Sequence, residues 1–299
     1  MQAIILENDF FIFTLFLPFC LISRSKPGYF FHKTELIHLT FSQGEFSMKL
    51  QFLCQIVLQI AGLIYATVKY EDKDLFSDTP QVLYSLPFHG EWYVCNGGVT
   101  EDTSHSWDIL PQRYAYDFFI ADDEGSSFCG DRKDLSSYYC YGKEVLAPAD
   151  GIVISVKDSF PDCRIMDHGQ TDPDTPDIGG NRIILQHSPS EYSALCHLMP
   201  QSVTVQPGQR VKRGDVIARC GNSGNTTEPH VHFQLQNTKH FYSCAGVPIP
   251  FTNIERRVHK KYAAMDSRPF PEKEQTMESY LHRGLLVKNA ETVPNSKAL

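Results

Sequence analysis

The stretch GKEVLAPADGIVISV (142–156) decides the class of the fold. It runs glycine, two residues, valine, then a turn at Ala149-Asp150-Gly151 and a short apolar strand rich in β-branched residues. GQRVKRGDVIARC (208–220) follows the same order, which predicts one hairpin element built twice into a single sheet system. Outward from these, NRIILQH (181–187), YSALCHL (192–198) and HVHFQLQ (230–236) are further short apolar runs. Gly179-Gly180, Pro207-Gly208, Gly214, Gly221 and Gly224 bound them as turn signals. Runs of this length with such punctuation are the pattern of strands, so the chain from about residue 76 reads as mainly β. MDHGQTDPDTPDIGG (166–180) is polar and turn-rich and reads as a long exposed loop.

The N-terminal quarter differs. FFIFTLFLPFCLI (10–22) is apolar but, at 13 residues, falls short of the roughly 20 that cross a bilayer as a helix. A second apolar run begins at Met48, with Lys49 at its start and charge resuming at Lys69. Residues 48–67 therefore read as a helical membrane anchor or an uncleaved signal. Gln51, Gln55 and Gln59 recur every four residues, which equally suits an amphipathic helix packed on the domain or lying at a membrane surface. Met48 also offers an alternative start. The expected organisation is an apolar segment over 1–70, a β domain over 76–245, and a charged, exposed extension over 246–299 with a short strand near GLLVK (284–288).

Bulk properties narrow the function. The 299 residues are 42% hydrophobic and 21% charged, an ordinary globular composition. A formal net charge of −8 argues against a general nucleic-acid binder. None of the nine cysteines forms a CxxC pair, so a cysteine zinc knuckle is not expected and most read as small buried hydrophobes.

EPHVHFQLQ (228–236) carries the chemistry. Residues two apart on a strand share a face, so His230 and His232 project toward one centre. Alone, the pair reads as easily as two polar residues on a strand. His197 ends YSALCHL, Asp117 sits among aromatic residues in QRYAYDFFIADD, and His105 lies upstream in TSHSWDILPQRYAYD. A buried carboxylate needs a cation or several donors. Histidines and a carboxylate together offer what a catalytic zinc site uses, three protein ligands and one open position.

GKEVLAPADGIV, GNRIILQH, YSALCHL, GQRVKRGDVIARCGNSG and EPHVHF, in that order and spacing, resemble the lysostaphin/LytM-type zinc endopeptidases over roughly residues 105–236. The resemblance implies a compact antiparallel β-sheet groove of the duplicated-hybrid-motif type and one zinc ion. It also implies hydrolysis of peptidoglycan peptide bonds by zinc-activated water, in an extracytoplasmic bacterial location. Asp117 and His232 would then be zinc ligands. His197 and His230 would polarise the water and move the proton. The family's third ligand is a histidine four residues before the aspartate, and Arg113 stands there. A guanidinium stays protonated and does not serve. His105 is expected in its place, with His89 as the next candidate, and Arg113 reads as an ion-pair partner for Asp117 or another acid, or as a substrate contact. Asn181, Asn222 and Ser223 are candidates for binding substrate, or for ordering the loops that hold them. His187 reads as a strand-end histidine bonded to backbone. Two other functions fit fewer residues: a catalytically degenerate member that binds peptidoglycan or a partner protein, and a phosphocarrier suggested by VLAPADG (145–151).

Overall fold

The computed structural model describes residues 2–6, 10–18, 34–70 and 80–290. The chain divides into two compact units, Met1–Cys54 and Gln55–Leu299. In the first, β1 (Gln2–Leu6), β2 (Phe10–Pro18) and β3 (Thr34–Ser42) form an antiparallel sheet in that order. Residues 19–22 of the apolar run, and the boundary expected at residue 76, lie outside the described residues.

The expected N-terminal helix is α1 (Gln43–Tyr70), which ends in the second unit. There Ala66 and Tyr70 pack with Val99, Leu110, Tyr114 and Ala245. A Cβ at Gly62 would fall 2.3 Å from the Tyr242 carbonyl oxygen, so glycine permits this close approach. No helix among the described residues is long and apolar enough to cross a membrane.

The second unit holds the strands β4 (Trp92–Asn96), β5 (Tyr116–Phe119), β6 (Glu144–Leu146), β7 (Gly151–Lys157), β8 (Asn181–Ser188) and β9 (Glu191–Leu198). They are followed by β10 (Arg210–Val211), β11 (Val216–Arg219), β12 (Val231–Gln236), β13 (Gly246–Val247) and β14 (Ile254–Val258). A short helix α2 (Tyr262–Met265) precedes the last strand, β15 (Leu285–Asn289). The main sheet runs β10-β7-β8-β9-β12-β5-β4-β15-β14, with β13 added to β12, and every pairing is antiparallel.

The repeated hairpins pair with each other. β6, from the first repeat, pairs with β11 of the second, and β7 of the first pairs with β10 of the second. Neither repeat closes on itself, so residues 142–156 and 208–220 form one interlocked element.

β12 lies inside the sheet and sorts its residues by alternation. Val231, Phe233 and Leu235 face the apolar core with Phe118, Ile183, Leu185 and Leu195. His232, Gln234 and Gln236 occupy the opposite face and are also buried.

Two expectations change. The loop at 166–180 is pinned rather than wholly exposed, because its carboxylates are matched with cations. Asp172 accepts from Arg164, and Asp177 accepts from Lys157, Arg182 and Tyr242. Residues 246–290 are not an exposed extension either. β15 lies between β4 and β14, and Leu281, Leu285, Leu286 and Val287 join the core. The charges of this segment alternate with apolar residues that sit on the sheet, a pattern that composition alone conceals. Leu286→Ala is therefore expected to lower stability in urea denaturation by about 2–5 kcal/mol. A change within about 0.5 kcal/mol would mark a peripheral strand instead.

Candidate metal centre

Strand register assembles the centre. On β12, His232 sits opposite Asp117 of β5 on one side and Cys196 of β9 on the other. His105 reaches the same place from the loop before β5. One ligand atom each of His105, Asp117 and His232 lies within 4.8 Å of the others. His230, just before β12, has Nε2 3.6 Å from Asp117 Oδ1. The His197 ring centroid is 4.6 Å from that of His230 and 5.8 Å from that of His232.

Two β-bulges aim side chains here that plain alternation would turn away. Between β8 and β9, Cys196 and His197 together oppose Arg182. His197 has a φ of +61°, a left-handed conformation uncommon for a side chain of this size. The extra residue re-aims its imidazole toward the centre, a frequent use of bulges beside active sites. Between β4 and β5 the register shifts at Cys95, bringing Asn96 opposite Asp117. Asn96 Nδ2 then donates to Asp117 Oδ2 at 3.2 Å.

The His105 loop is held by its own residues. Ser104 Oγ donates to the Arg113 carbonyl, and Ser106 N donates to Ser104 Oγ. Arg113 Nε donates to the Trp107 carbonyl at 2.9 Å, with the guanidinium over the indole ring. Arg113 thus braces the loop and makes no ion pair with Asp117, which corrects the expected role. The guanidinium finds a carbonyl and an aromatic face closer at hand. His89 is exposed and lines a separate cavity with Tyr141 and Arg219, away from Asp117.

Asn181, Asn222 and Ser223 do not reach the cleft. All three are buried and their polar atoms are spent on the chain. Asn181 bonds both backbone groups of Phe160 and the Leu198 carbonyl. Asn222 donates to the Cys163 carbonyl and accepts from Thr226. Ser223 Oγ donates to the Leu198 carbonyl, and its own carbonyl holds His197 Nδ1 at 2.8 Å. These residues order the histidine-bearing loops. Sequence reasoning missed Asn96, which depends on a bulge, and Gln234, whose spacing of two from His232 was the available signal.

Electrostatics follow from burial and neighbours. Asp117 is only 6% exposed, and burial opposes its ionisation. His105, His232 and His230 outweigh that and hold its carboxyl well below the usual carboxylate range. Burial lowers the His105 pKa, and burial with the neighbouring His230 and His232 places that of His197 well below the ordinary imidazole value. Burial opposes protonation of His232 too, but the Asp117 hydrogen bond prevails and raises its pKa.

The donor geometry fits a cation. His232 Nε2 is 3.0 Å from Gln234 Oε1, so that nitrogen carries hydrogen. Nδ1 then faces Asp117 Oδ1 at 2.9 Å. Two acceptors at that separation need an added proton or a metal between them. Two imidazoles and a carboxylate form a donor set for a divalent ion with one position left open. The centre forms the floor of a cleft of about 880 Å³, bordered by Tyr93, Phe119, Thr226, Tyr242, Arg268 and, from α1, Leu63.

Residues 136–243 match the model of peptidase family M23. His197, His230 and His232 fall within that match, and His105 and Asp117 precede it. Over 56 residues the chain is 38% identical to the peptidoglycan DD-endopeptidase ShyA of Vibrio cholerae, covering 19% of this chain and 13% of that protein. Over 74 residues it is 35% identical to the glycyl-glycine endopeptidase ALE-1 of Staphylococcus capitis, covering 24% and 20%. The match to the catalytic domain of lysostaphin from Staphylococcus simulans covers 53% of this chain and 88% of that one, at 20% identity and a TM-score of 0.30. The chain spans a fifth or less of the length of these two curated relatives.

Two outcomes test the site as built. Asn222→Ala is expected to cost about 1–3 kcal/mol of stability, because it leaves buried groups unpaired. Unchanged stability in a urea titration would remove it from the framework. Histidines held below their unfolded pKa stay neutral in the fold and gain protons on unfolding. His105 and His197 therefore contribute stability that is full above about pH 6.5 and falls as pH drops below it. His187 and His282 act in the same sense, and His232, shifted upward, opposes them. Thermal melts of metal-free protein from about pH 8 to about pH 5 should show a net loss, and a flat profile would contradict it.

Proposed function

We propose, from the match of residues 136–243 to the model of peptidase family M23, that the chain is a zinc-dependent metalloendopeptidase acting on stem or cross-bridge peptides of peptidoglycan. The observation that carries this reading is the gathering of His105, Asp117 and His232 ligand atoms within 4.8 Å, beside His197 and His230. With His105 in reach, the donor set has three protein ligands despite Arg113, which favours an active enzyme over a degenerate binder. The named activities of the two curated relatives support a peptidoglycan substrate. Such a substrate lies outside the cytoplasmic membrane, so we place the chain's action in the cell envelope. The exposed Val57, Leu58, Ile64, Tyr65 and Val68 on α1 support contact with a membrane surface there.

When bound, zinc supplies Lewis acidity, polarising a carbonyl and making water a competent nucleophile near neutral pH. The remaining tasks belong to the chain. His197 Nδ1 donates to the Ser223 carbonyl, and His230 Nδ1 donates to the Glu228 carbonyl at 2.8 Å. Each ring is left with Nε2 as its acceptor nitrogen. These two nitrogens take up the proton of the attacking water and return it to the leaving amine, a general acid–base role. Once protonated, either ring also donates a hydrogen bond to the oxyanion that develops on the cleaved carbonyl. The walls of the cleft hold an extended peptide across the floor and limit access of bulk water.

Purified protein is expected to hold about one zinc per chain, as the three-ligand site requires. Asp117→Ala and His232→Ala should lose it, and His105→Ala should bind it more weakly. His230→Ala should keep its zinc while its release of free amines from purified peptidoglycan falls by about 10²–10⁴-fold. Zinc-loaded wild type that releases no amines would overturn the peptidoglycan assignment. Unchanged zinc affinity in His105→Ala would remove that residue from the ligand set.

A further inference from the structure

Resting on the zinc reading, we propose that Gln234 is a positioning residue: through a relay anchored at the Thr238 carbonyl, it fixes which nitrogen of His232 faces the metal. His232, Gln234 and Gln236 are spaced by two on β12 and share its polar face. Their side chains form an unbroken line. Gln236 Nε2 donates to the Thr238 carbonyl at 2.7 Å. Gln234 Nε2 donates to Gln236 Oε1 at 2.8 Å, and Gln234 Oε1 meets His232 Nε2 at 3.0 Å.

The direction of this line is forced from its far end. A backbone carbonyl can only accept, so Gln236 must turn its amide nitrogen toward Thr238. Its oxygen then faces Gln234, which must answer with nitrogen. The Gln234 oxygen is left toward His232, and Nε2 of that ring must carry hydrogen. Nδ1 is the remaining lone pair and points at Asp117. Gln234 is 1% exposed and Gln236 is fully buried, so water does not compete for these groups. Reversing one amide would set oxygen against oxygen or nitrogen against nitrogen inside the protein, which a buried network does not tolerate.

A hydrophobic side chain at 234 would fill the space and leave the imidazole free to choose its tautomer. Outer partners of metal-binding histidines typically affect affinity by about 10–100-fold. The test uses the full chain. Nitrogen-15 NMR of metal-free protein, above the imidazole titration range, reads the His232 tautomer, with the signal assigned by its loss in His232→Gln. Zinc affinity is measured by chelator competition. The expected results are an Nε2–H tautomer in wild type, and zinc binding weakened by about 10–100-fold in Gln234→Leu with the Nδ1–H tautomer appearing. Gln234→Glu, kept as a neutral acid by burial, retains the acceptor toward His232 and an O–H donor toward Gln236, and should bind zinc close to the wild-type level. An Nδ1–H tautomer in wild type, unchanged affinity in Gln234→Leu, or a Gln234→Glu as weak as the leucine variant would each overturn the proposal. If Gln234→Leu does not fold, the wild-type spectrum and Gln234→Glu still decide it. Wild type that binds no zinc would instead overturn the zinc reading, and the tautomer, read without metal, would still test the relay.

Discussion

The buried carboxylate of Asp117 is the constraint around which the second unit is organised. A charge taken out of water costs several kcal/mol even after the protein relaxes. No lysine or arginine pairs with this one among the described residues; its neighbours are three histidines and an asparagine. Imidazoles are partial compensation, because a neutral ring brings no charge and a protonated ring is itself costly to bury. The arrangement is most comfortable with a cation at its centre. A carboxylate and several imidazoles therefore stand here where a structural ion pair would stand elsewhere, and their donor set suits a divalent cation.

Convergence on one point sets demands on the sheet. A regular ladder gives each strand one side chain in every two for a given face, and β12 and β5 meet that rule with His232 and Asp117 in direct register. His197 and Asn96 come from positions that need a bulge, and in each case another element supports the distortion. The Ser223 carbonyl holds the His197 ring, while the Gly179 carbonyl accepts from the His197 backbone N–H. A strained conformation of this kind persists only where surrounding contacts over-determine it. Buried Asn181, Asn222 and Ser223 supply those contacts, which explains why residues with such polar side chains are kept away from the cleft.

The strands were legible because their signals are local. β-branched runs, turn glycines and the repeat at 142–156 and 208–220 placed β7, β8, β9, β11 and β12 within a residue or two of where they lie. The shared face of His232 and Gln234 was equally available from spacing. What escaped depends on contacts between distant segments. The bulge at Cys95 exists only once β4 is paired with β5. The place of β15 beside β4 joins residues nearly two hundred positions apart, and no period in either segment announces it. Arg113 was read by its charge, toward an acid, whereas its loop offered the Trp107 carbonyl and ring first.

The segment between α2 and β15 also bears on the candidate metal centre. Arg268 donates to both the Cys95 carbonyl and Asn96 Oδ1, at 3.2 and 3.1 Å, so it grips the bulge that carries Asn96. A guanidinium has no acceptor, and the Asn96 amide must therefore turn its oxygen toward Arg268 and its nitrogen toward Asp117. Asp266 holds Arg268 in place, and Arg283 reaches the same aspartate. This is the logic of the β12 relay with the roles exchanged: there a group that can only accept fixes the sequence of donors, and here a group that can only donate does so. Asp117 and His232 are thus each oriented from outside by a partner with a single hydrogen-bonding sense. One partner, the Thr238 carbonyl, lies within residues 136–243 just past the end of β12, and the other, Arg268, lies beyond them in residues 246–290, so the geometry of the centre draws on more of the unit than the family-matched segment.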